Sequence, residues 1–151
     1  MSIIATLKVM NNKTKKLNKK LTTLIIDRKR WLRGGDFSDA SYLYRSEDRK
    51  MCCLGFFCRQ SGLLIDNIRD VPEPYDILDF TSSPSLEKKV RQKLKSLFED
   101  AHETNYSDMK QNNTCDSLIY ANDNIKISEP EREKRISKLF SKIGVKVKFI
   151  N

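Results

Sequence analysis

The feature that most constrains the fold is a helix followed by a strand near the end of the chain. Ser128 and Glu131 have the spacing of a capping box, which predicts a helix start, and Gly144 is placed where glycine commonly ends a helix. Residues 145–150 then read Val-Lys-Val-Lys-Phe-Ile, and this alternation is typical of a strand with one buried face. The chain must therefore pack helices against a sheet.

Earlier segments add further elements of both kinds. Leu21 to Trp31 and Ser41 to Arg45 are predicted as strands, because β-branched and aromatic residues favour a pleated surface. Cys52 to Ser61 is predicted as a short buried helix, and an amphipathic helix is expected to begin at Ser83-Pro84. We expect an α+β fold with a small antiparallel or mixed sheet and two to three helices.

Two stretches between these elements are predicted to be irregular. Residues 66–83 contain Pro72 and Pro74 and are followed directly by Pro84. Residues 103–115 are polar. At 151 residues the chain has the usual length of one domain. We expect a single α+β domain over residues 21–151, preceded by a basic N-terminal arm, residues 1–20.

Positive charge is concentrated at the start of the chain. The formal net charge is +9, and residues 1–35 hold ten basic side chains against one acid, whereas the remaining residues are neutral overall. Such a segment attracts polyanions, since each phosphate contact releases condensed counterions. A solvated basic tail that binds nothing is the alternative.

The candidate binding residues are therefore the cations of this segment and the one tryptophan among them. Trp31 could stack on an unpaired base if exposed, or anchor the strand end if buried. The full set is Lys13, Lys15, Lys16, Lys19, Lys20, Arg28, Lys29, Arg30, Trp31 and Arg33.

The sequence predicts a cytoplasmic protein. No apolar run approaches the roughly 20 residues that cross a bilayer, and the first residues lack the pattern of a secretory signal. The four cysteines then fit a reducing compartment. We expect them to be buried and inert, without a metal or cofactor.

Three kinds of chemistry would contradict that expectation. Cys52, Cys53, Cys58 and Cys115 with His102 do not have the close spacing of a zinc hook, although zinc or a Cys–His pair stays open. A metal-dependent nuclease would need grouped carboxylates, and those nearest the basic segment lie at Asp36, Asp39, Glu47 and Asp48. Acids beside turns are more often turn formers. We therefore predict no enzyme activity.

Four motifs carry a resemblance to known proteins. They are Trp31-Leu32-Arg33-Gly34, Met51-Cys52-Cys53-Leu54-Gly55-Phe56, Tyr120-Ala121-Asn122-Asp123, and Glu131-Arg132-Glu133 with Phe140 and Gly144-Val145. Over about residues 24–66 and 118–150 the chain resembles a group of small phage and prophage proteins to which no activity is assigned. That resemblance implies a protein that occupies a surface of host machinery, as anti-defence proteins such as anti-CRISPRs do.

Together these observations predict a non-enzymatic inhibitor of phage type in the host cytoplasm. Its basic N-terminal segment is expected to contact nucleic acid or a host nucleoprotein complex. One alternative is a protein-only inhibitor or adaptor that binds an acidic protein surface. The other is the metal-dependent nuclease.

Overall fold

A computed structural model of the chain describes residues 20–34, 41–79, 84–98 and 113–151. The predicted arm, apart from Lys20, lies outside these ranges, as do Asp36, Asp39 and His102. The described residues form two strands and six helices, in the order β1 (Thr23–Asp27), α1 (Cys53–Gln60), α2 (Ile65–Ile68), α3 (Pro74–Asp79), α4 (Pro84–Phe98), α5 (Thr114–Asp123), α6 (Glu129–Lys142) and β2 (Lys146–Ile150). The α+β class is confirmed, but the described residues contain six helices, more than the two to three that were predicted.

The sheet of the described residues has two strands, and they are parallel. Thr23 pairs with Lys146 and Asp27 with Ile150. The expected antiparallel or mixed arrangement is therefore wrong. The reason is the connection: all six helices lie between the two strands, and such a long crossover can return the chain in the same direction.

Three helices were predicted correctly. α1 covers Cys53–Gln60, and Gly62 follows it with a positive φ of 104°. α4 begins at Pro84. α6 begins after Ser128, whose hydroxyl accepts a hydrogen bond from the Glu131 amide, and Gly144 follows it at φ 78°. Side-chain capping and glycine stops are local, so sequence alone locates them well.

Other predicted elements differ from the structure. Ser41 to Arg45 is not a strand in the described chain, because Tyr44 and Arg45 make only isolated bridges, to Arg69 and Lys50. The predicted irregular stretch contains α2 and α3, two short helices. The predicted polar loop ends in α5, where the Asn113 side chain accepts a hydrogen bond from the Asp116 amide at 2.8 Å.

The core is one cluster to which every helix and β1 contribute fully buried side chains. Leu24 and Ile26 are its contribution from β1, while Ile136 and Phe140 come from α6. Val147 and Phe149 of β2 pack against the cluster but keep part of their surface exposed. β2 therefore forms a margin of the described structure, with its two lysines on the outer face.

Candidate nucleic-acid interface

The predicted basic cluster at the end of β1 is divided by the fold. Arg28 points toward α6, where its guanidinium donates two hydrogen bonds to the Glu133 carboxylate, at 2.6 and 3.0 Å. The same guanidinium lies 5.6 Å from the centre of the Phe149 ring. The hydrogen bond to Glu133 is the main reason that the pKa of Arg28 is raised. Arg28 is therefore held by the protein's own glutamate.

Arg33 is held in a similar way. It donates to the Glu129 carboxylate and to the carbonyls of Arg28 and Trp31, the last two at 3.0 Å each. Its guanidinium lies 4.4 Å from the Trp31 ring centre, a cation–π distance. Burial alone would raise the pKa of Glu129, but the hydrogen bonds and charges of Arg33 and Arg132 lower it overall. Arg33 is thus a structural residue.

Trp31 is buried, with 2% of its surface exposed. Its indole Nε1 donates a 2.8 Å hydrogen bond to Asn122 Oδ1, and its ring centre lies 5.3 Å from that of Phe149. The ring therefore has no open face for a base. The prediction that Trp31 belongs to the binding site is corrected: it anchors the end of β1.

Lys20, Lys29 and Arg30 are the predicted binding residues that the fold leaves exposed. Lys20 precedes β1, and the other two lie in the turn that follows it. The predicted residues Lys13, Lys15, Lys16 and Lys19 lie outside the described ranges.

Two cations that sequence reasoning missed lie on β2. Lys146 and Lys148 are exposed on the outer face of the sheet, opposite Thr23 and Ile25 of β1. The strict alternation of residues 145–150 already implied that these lysines point away from the core. That β2 lies beside β1 could not be known, because the paired residues, such as Asp27 and Ile150, are far apart in the sequence. We call Lys20, Lys29, Arg30, Lys146 and Lys148 the cationic sheet surface.

One carboxylate belongs to the two strands that carry this surface. Asp27 ends β1, and its Oδ1 accepts the Lys29 amide at 3.0 Å and the Asn151 side-chain amide at 3.3 Å. Both donors are amide groups, so neither contact occupies a lysine or arginine head group. No ion pair between Asp27 and these cations is found in the described part of the chain.

Asn122 of α5 is the centre of a buried group of hydrogen bonds near the end of β1. Its Oδ1 accepts from Trp31 and from the Cys53 amide at 3.0 Å, while its Nδ2 donates to the Leu32 carbonyl at 3.0 Å. The same Nδ2 also contacts Ser41 Oγ at 3.1 Å. One amide therefore ties the end of β1 and the start of α1 to α5. We call this group the Asn122 junction.

Arg132 of α6 completes the junction from the other side. It is 2% exposed, and its guanidinium donates to the carbonyls of Ala121, Asn122 and Asn124 at 2.7 to 2.9 Å. These are carbonyls at the end of α5, which lack partners within the helix. Gly34 lies against the same guanidinium: a Cβ there would be 3.1 Å from Arg132 Nη2. Residues of four sequence segments, at residues 31–34, Cys53, residues 121–122 and Arg132, thus meet at one structural junction.

The cysteines are buried and free. Burial is the main cause that raises the pKa of Cys52 and of Cys115 to about 12, and it raises the pKa of Cys53 and Cys58 as well. A thiol that stays protonated is a poor nucleophile and metal ligand. In the described ranges, no group of three or more histidine, cysteine or acidic side chains is arranged to hold a metal ion.

Of the carboxylates considered for a nuclease, the structure describes Glu47 and Asp48, and these two are not part of a metal-binding group in the described ranges. Glu47 is exposed, and Asp48 accepts two hydrogen bonds from Arg45, which are the main cause of its lowered pKa. Both belong to the turn between Arg45 and Lys50. Turn formation accounts for these two acids.

A pocket beside the Asn122 junction has a volume of about 80 Å³. Ser41, Cys53, Glu73 and Asp123 are among its lining residues, and Asp123 accepts a hydrogen bond from the Ser41 hydroxyl. Burial and the neighbouring acids raise the pKa of Glu73. Small-molecule sites usually enclose about 300–1,000 Å³. This pocket has room for a few water molecules only.

No protein-family model matches the sequence, and neither the curated proteins nor the solved structures contain a significant match. None of the helices in the described ranges combines the length and apolar composition that a bilayer span needs.

Proposed function

We propose that this chain is a non-enzymatic binding protein that contacts nucleic acid, free or within a host nucleoprotein complex, through the cationic sheet surface and the adjoining basic arm. The observation that carries the proposal is the exposure of five cations around two strands that contain a single carboxylate. In the phage-type reading it acts as an inhibitor in the host cytoplasm, by occupying a surface.

Three steps connect the observation to the proposal. Within the described residues, the five cations have no carboxylate partner, so their head groups can contact phosphates. Each such contact releases counterions that are condensed on the nucleic acid. Lys146 and Lys148 are two residues apart on one strand, hence about 6.6 Å apart along it. Lys29 and Arg30 extend the surface beyond the end of β1. Phosphate contacts of this kind position a partner without reading its sequence.

Ile25 lies between the two groups of cations and is 42% exposed. It is the neighbour of Lys148 in the sheet register. Ile25 can pack against a sugar, but it offers no ring for base stacking, on which tight single-strand binding usually depends. We therefore expect duplexes, with their higher charge density, to bind at least as tightly as single strands of the same sequence.

The experiment compares three double variants that remove the same charge. Lys29→Gln/Arg30→Gln and Lys146→Gln/Lys148→Gln change the proposed surface, whereas Lys88→Gln/Lys89→Gln changes exposed lysines of α4, a helix that packs against α3 and α5. Binding to short labelled single-stranded DNA, RNA and duplex DNA is measured by fluorescence anisotropy across a range of salt. Each surface variant should lower the salt slope by about 2, one for each cation.

A fourth variant addresses the predicted arm. Lys13, Lys15, Lys16, Lys19 and Lys20 are replaced together by glutamine. If the arm participates, this variant should weaken binding about tenfold or more at low salt. Equal losses in all doubles, the α4 control included, would show that only net charge matters. Absence of binding to any probe at about 50 mM salt would refute the proposal.

A further inference from the structure

The two edges of the sheet differ. The outer edge of β1 is covered by a side chain: Gln60 Nε2 donates to the Ile25 carbonyl at 2.7 Å, and the Ile25 amide donates to Gln60 Oε1 at 2.9 Å. The Gln60 amide therefore takes the place that a neighbouring strand's peptide group would occupy. This edge of the sheet is closed at its centre.

The outer edge of β2 has no such cover in the described ranges. Lys146 donates its amide to the Thr22 carbonyl and Ile150 accepts from the Arg28 amide, so the even-numbered residues of β2 face β1. In a parallel pair the intervening residues then direct their backbone groups away. No hydrogen bond connects the backbone of Val147 or Phe149 to any described residue. Two donors and two acceptors of this edge thus have no partner among the described residues.

The side chains along this edge define what can pair with it. Val147 and Phe149 lie on the core face and keep part of their surface exposed, while Lys146 and Lys148 lie on the solvent face. An added strand would cover the apolar pair on one face and bring its own alternate residues beside the two lysines on the other.

We propose that the open edge of β2 binds an extended segment of a partner protein in which acidic and apolar residues alternate. Acids on the solvent face would meet Lys146 and Lys148, and apolar residues would cover Val147 and Phe149. A second copy of β2 is the less favourable occupant, because its own lysines would face these lysines across the pair. This interaction uses backbone groups that the proposed nucleic-acid contact does not need.

The test uses three synthetic peptides of equal length with Glu-Val, Gln-Val or Lys-Val repeats, added to the full-length protein. We expect the Glu-Val peptide to bind about tenfold more tightly than the Gln-Val peptide, and the Lys-Val peptide not to bind. Ultracentrifugation of the protein alone should show a monomer. A dimer that is lost on adding the Glu-Val peptide would replace the proposed occupant with a second copy of this chain.

Val147→Pro separates edge pairing from simple charge attraction. Proline removes an outward-facing amide and leaves the even-numbered residues paired with β1, a position where edge strands accept proline. The variant should lose about tenfold or more of its affinity for the Glu-Val peptide and keep its nucleic-acid binding. Lys146→Gln/Lys148→Gln should weaken both.

Amide hydrogen exchange provides a measurement that does not depend on any variant. In the free protein the Val147 and Phe149 amides should exchange faster than those of Lys148 and Ile150, and the Glu-Val peptide should slow the first pair selectively. Protected Val147 and Phe149 amides in the free protein, or peptide binding without added protection, would overturn the proposal.

Discussion

Arg33, beside the Asn122 junction, and Arg30, on the cationic sheet surface, come from the same short stretch of sequence and are used in opposite ways. Arg33 lies over Trp31 and bonds to Glu129, while Arg30 is exposed. The difference arises from the turn after β1, which directs some of its cations toward α6 and others to solvent. A basic residue's role is thus decided by the carboxylates that the fold places nearby, more than by its own position in a charged run.

The largest effect on stability is expected from Gly55→Ala in α1. A Cβ at this position would lie 1.7 Å from the Leu43 carbonyl oxygen. Because this oxygen belongs to the backbone, relieving the clash would require the main chain around Leu43 to shift. We expect a loss of about 3 kcal/mol or more in the free energy of unfolding, measured by urea denaturation. Ser61→Ala, at the half-buried end of α1, is the control. Wild-type stability of Gly55→Ala would contradict the close approach.

Asn122→Leu should have the next largest effect. Leucine has a similar size but leaves the Trp31 indole N–H, the Cys53 amide and the Leu32 carbonyl without their partner. Each buried orphan costs about 1–3 kcal/mol, so we expect a loss of about 3 kcal/mol overall. Asn124→Ala serves as the comparison, since among the described residues its side chain bonds to the exposed Lys126 amide alone. Equal stability of the two variants would mean that the junction is not a structural centre.

Arg132→Lys should have an intermediate effect. Lysine keeps the charge but cannot reach three carbonyls with a rigid fork of donors. We expect a loss of about 2 kcal/mol in thermal or urea unfolding. The matched control is Arg135→Lys in the same helix, where the exposed pair with Glu131 contributes little. A control as damaging as Arg132→Lys would argue against the capping of α5.

The smallest effect on stability is expected at the surface, in a comparison of Arg28→Gln with Arg30→Gln. Arg28→Gln removes the two hydrogen bonds to Glu133 and should lower the thermal midpoint measurably. Arg30→Gln should leave the midpoint unchanged and weaken nucleic-acid binding instead. If the two variants exchanged these effects, the division of the basic cluster would be wrong.

The parts of the fold that sequence predicted are those with local causes. Ser128 and Gly144 define α6 through a hydroxyl cap and a positive φ, and Pro84 begins α4. The direction of the sheet could not be predicted, because it depends on how six helices return the chain to β1. α5 was missed because its cap, Asn113, ends a polar stretch that has the composition of a loop.

For the candidate site, sequence identified the cations but not their surroundings. Nothing near Arg28 in the sequence indicates Glu133, which is 105 residues away. The sequence allows Trp31 to be either exposed or buried. The structure shows that it is buried, with its indole N–H bonded to Asn122. Lys146 and Lys148 belong to the site because β2 pairs with β1, and this pairing is a long-range contact that the sequence does not show.

The pairing of β1 with β2 also governs how the chain can fold. Thr23 and Lys146, partners in the sheet, are 123 residues apart in the sequence. Closing so long a loop costs conformational entropy before any strand contact compensates for it, and contacts of this range slow folding. During synthesis, β1 therefore remains without its strand partner until almost the whole chain has been made, whereas α1, which also packs against β1, is available much earlier. A ribosome-bound chain that stops short of β2 would leave the backbone groups of β1 that face β2 without their hydrogen-bond partners.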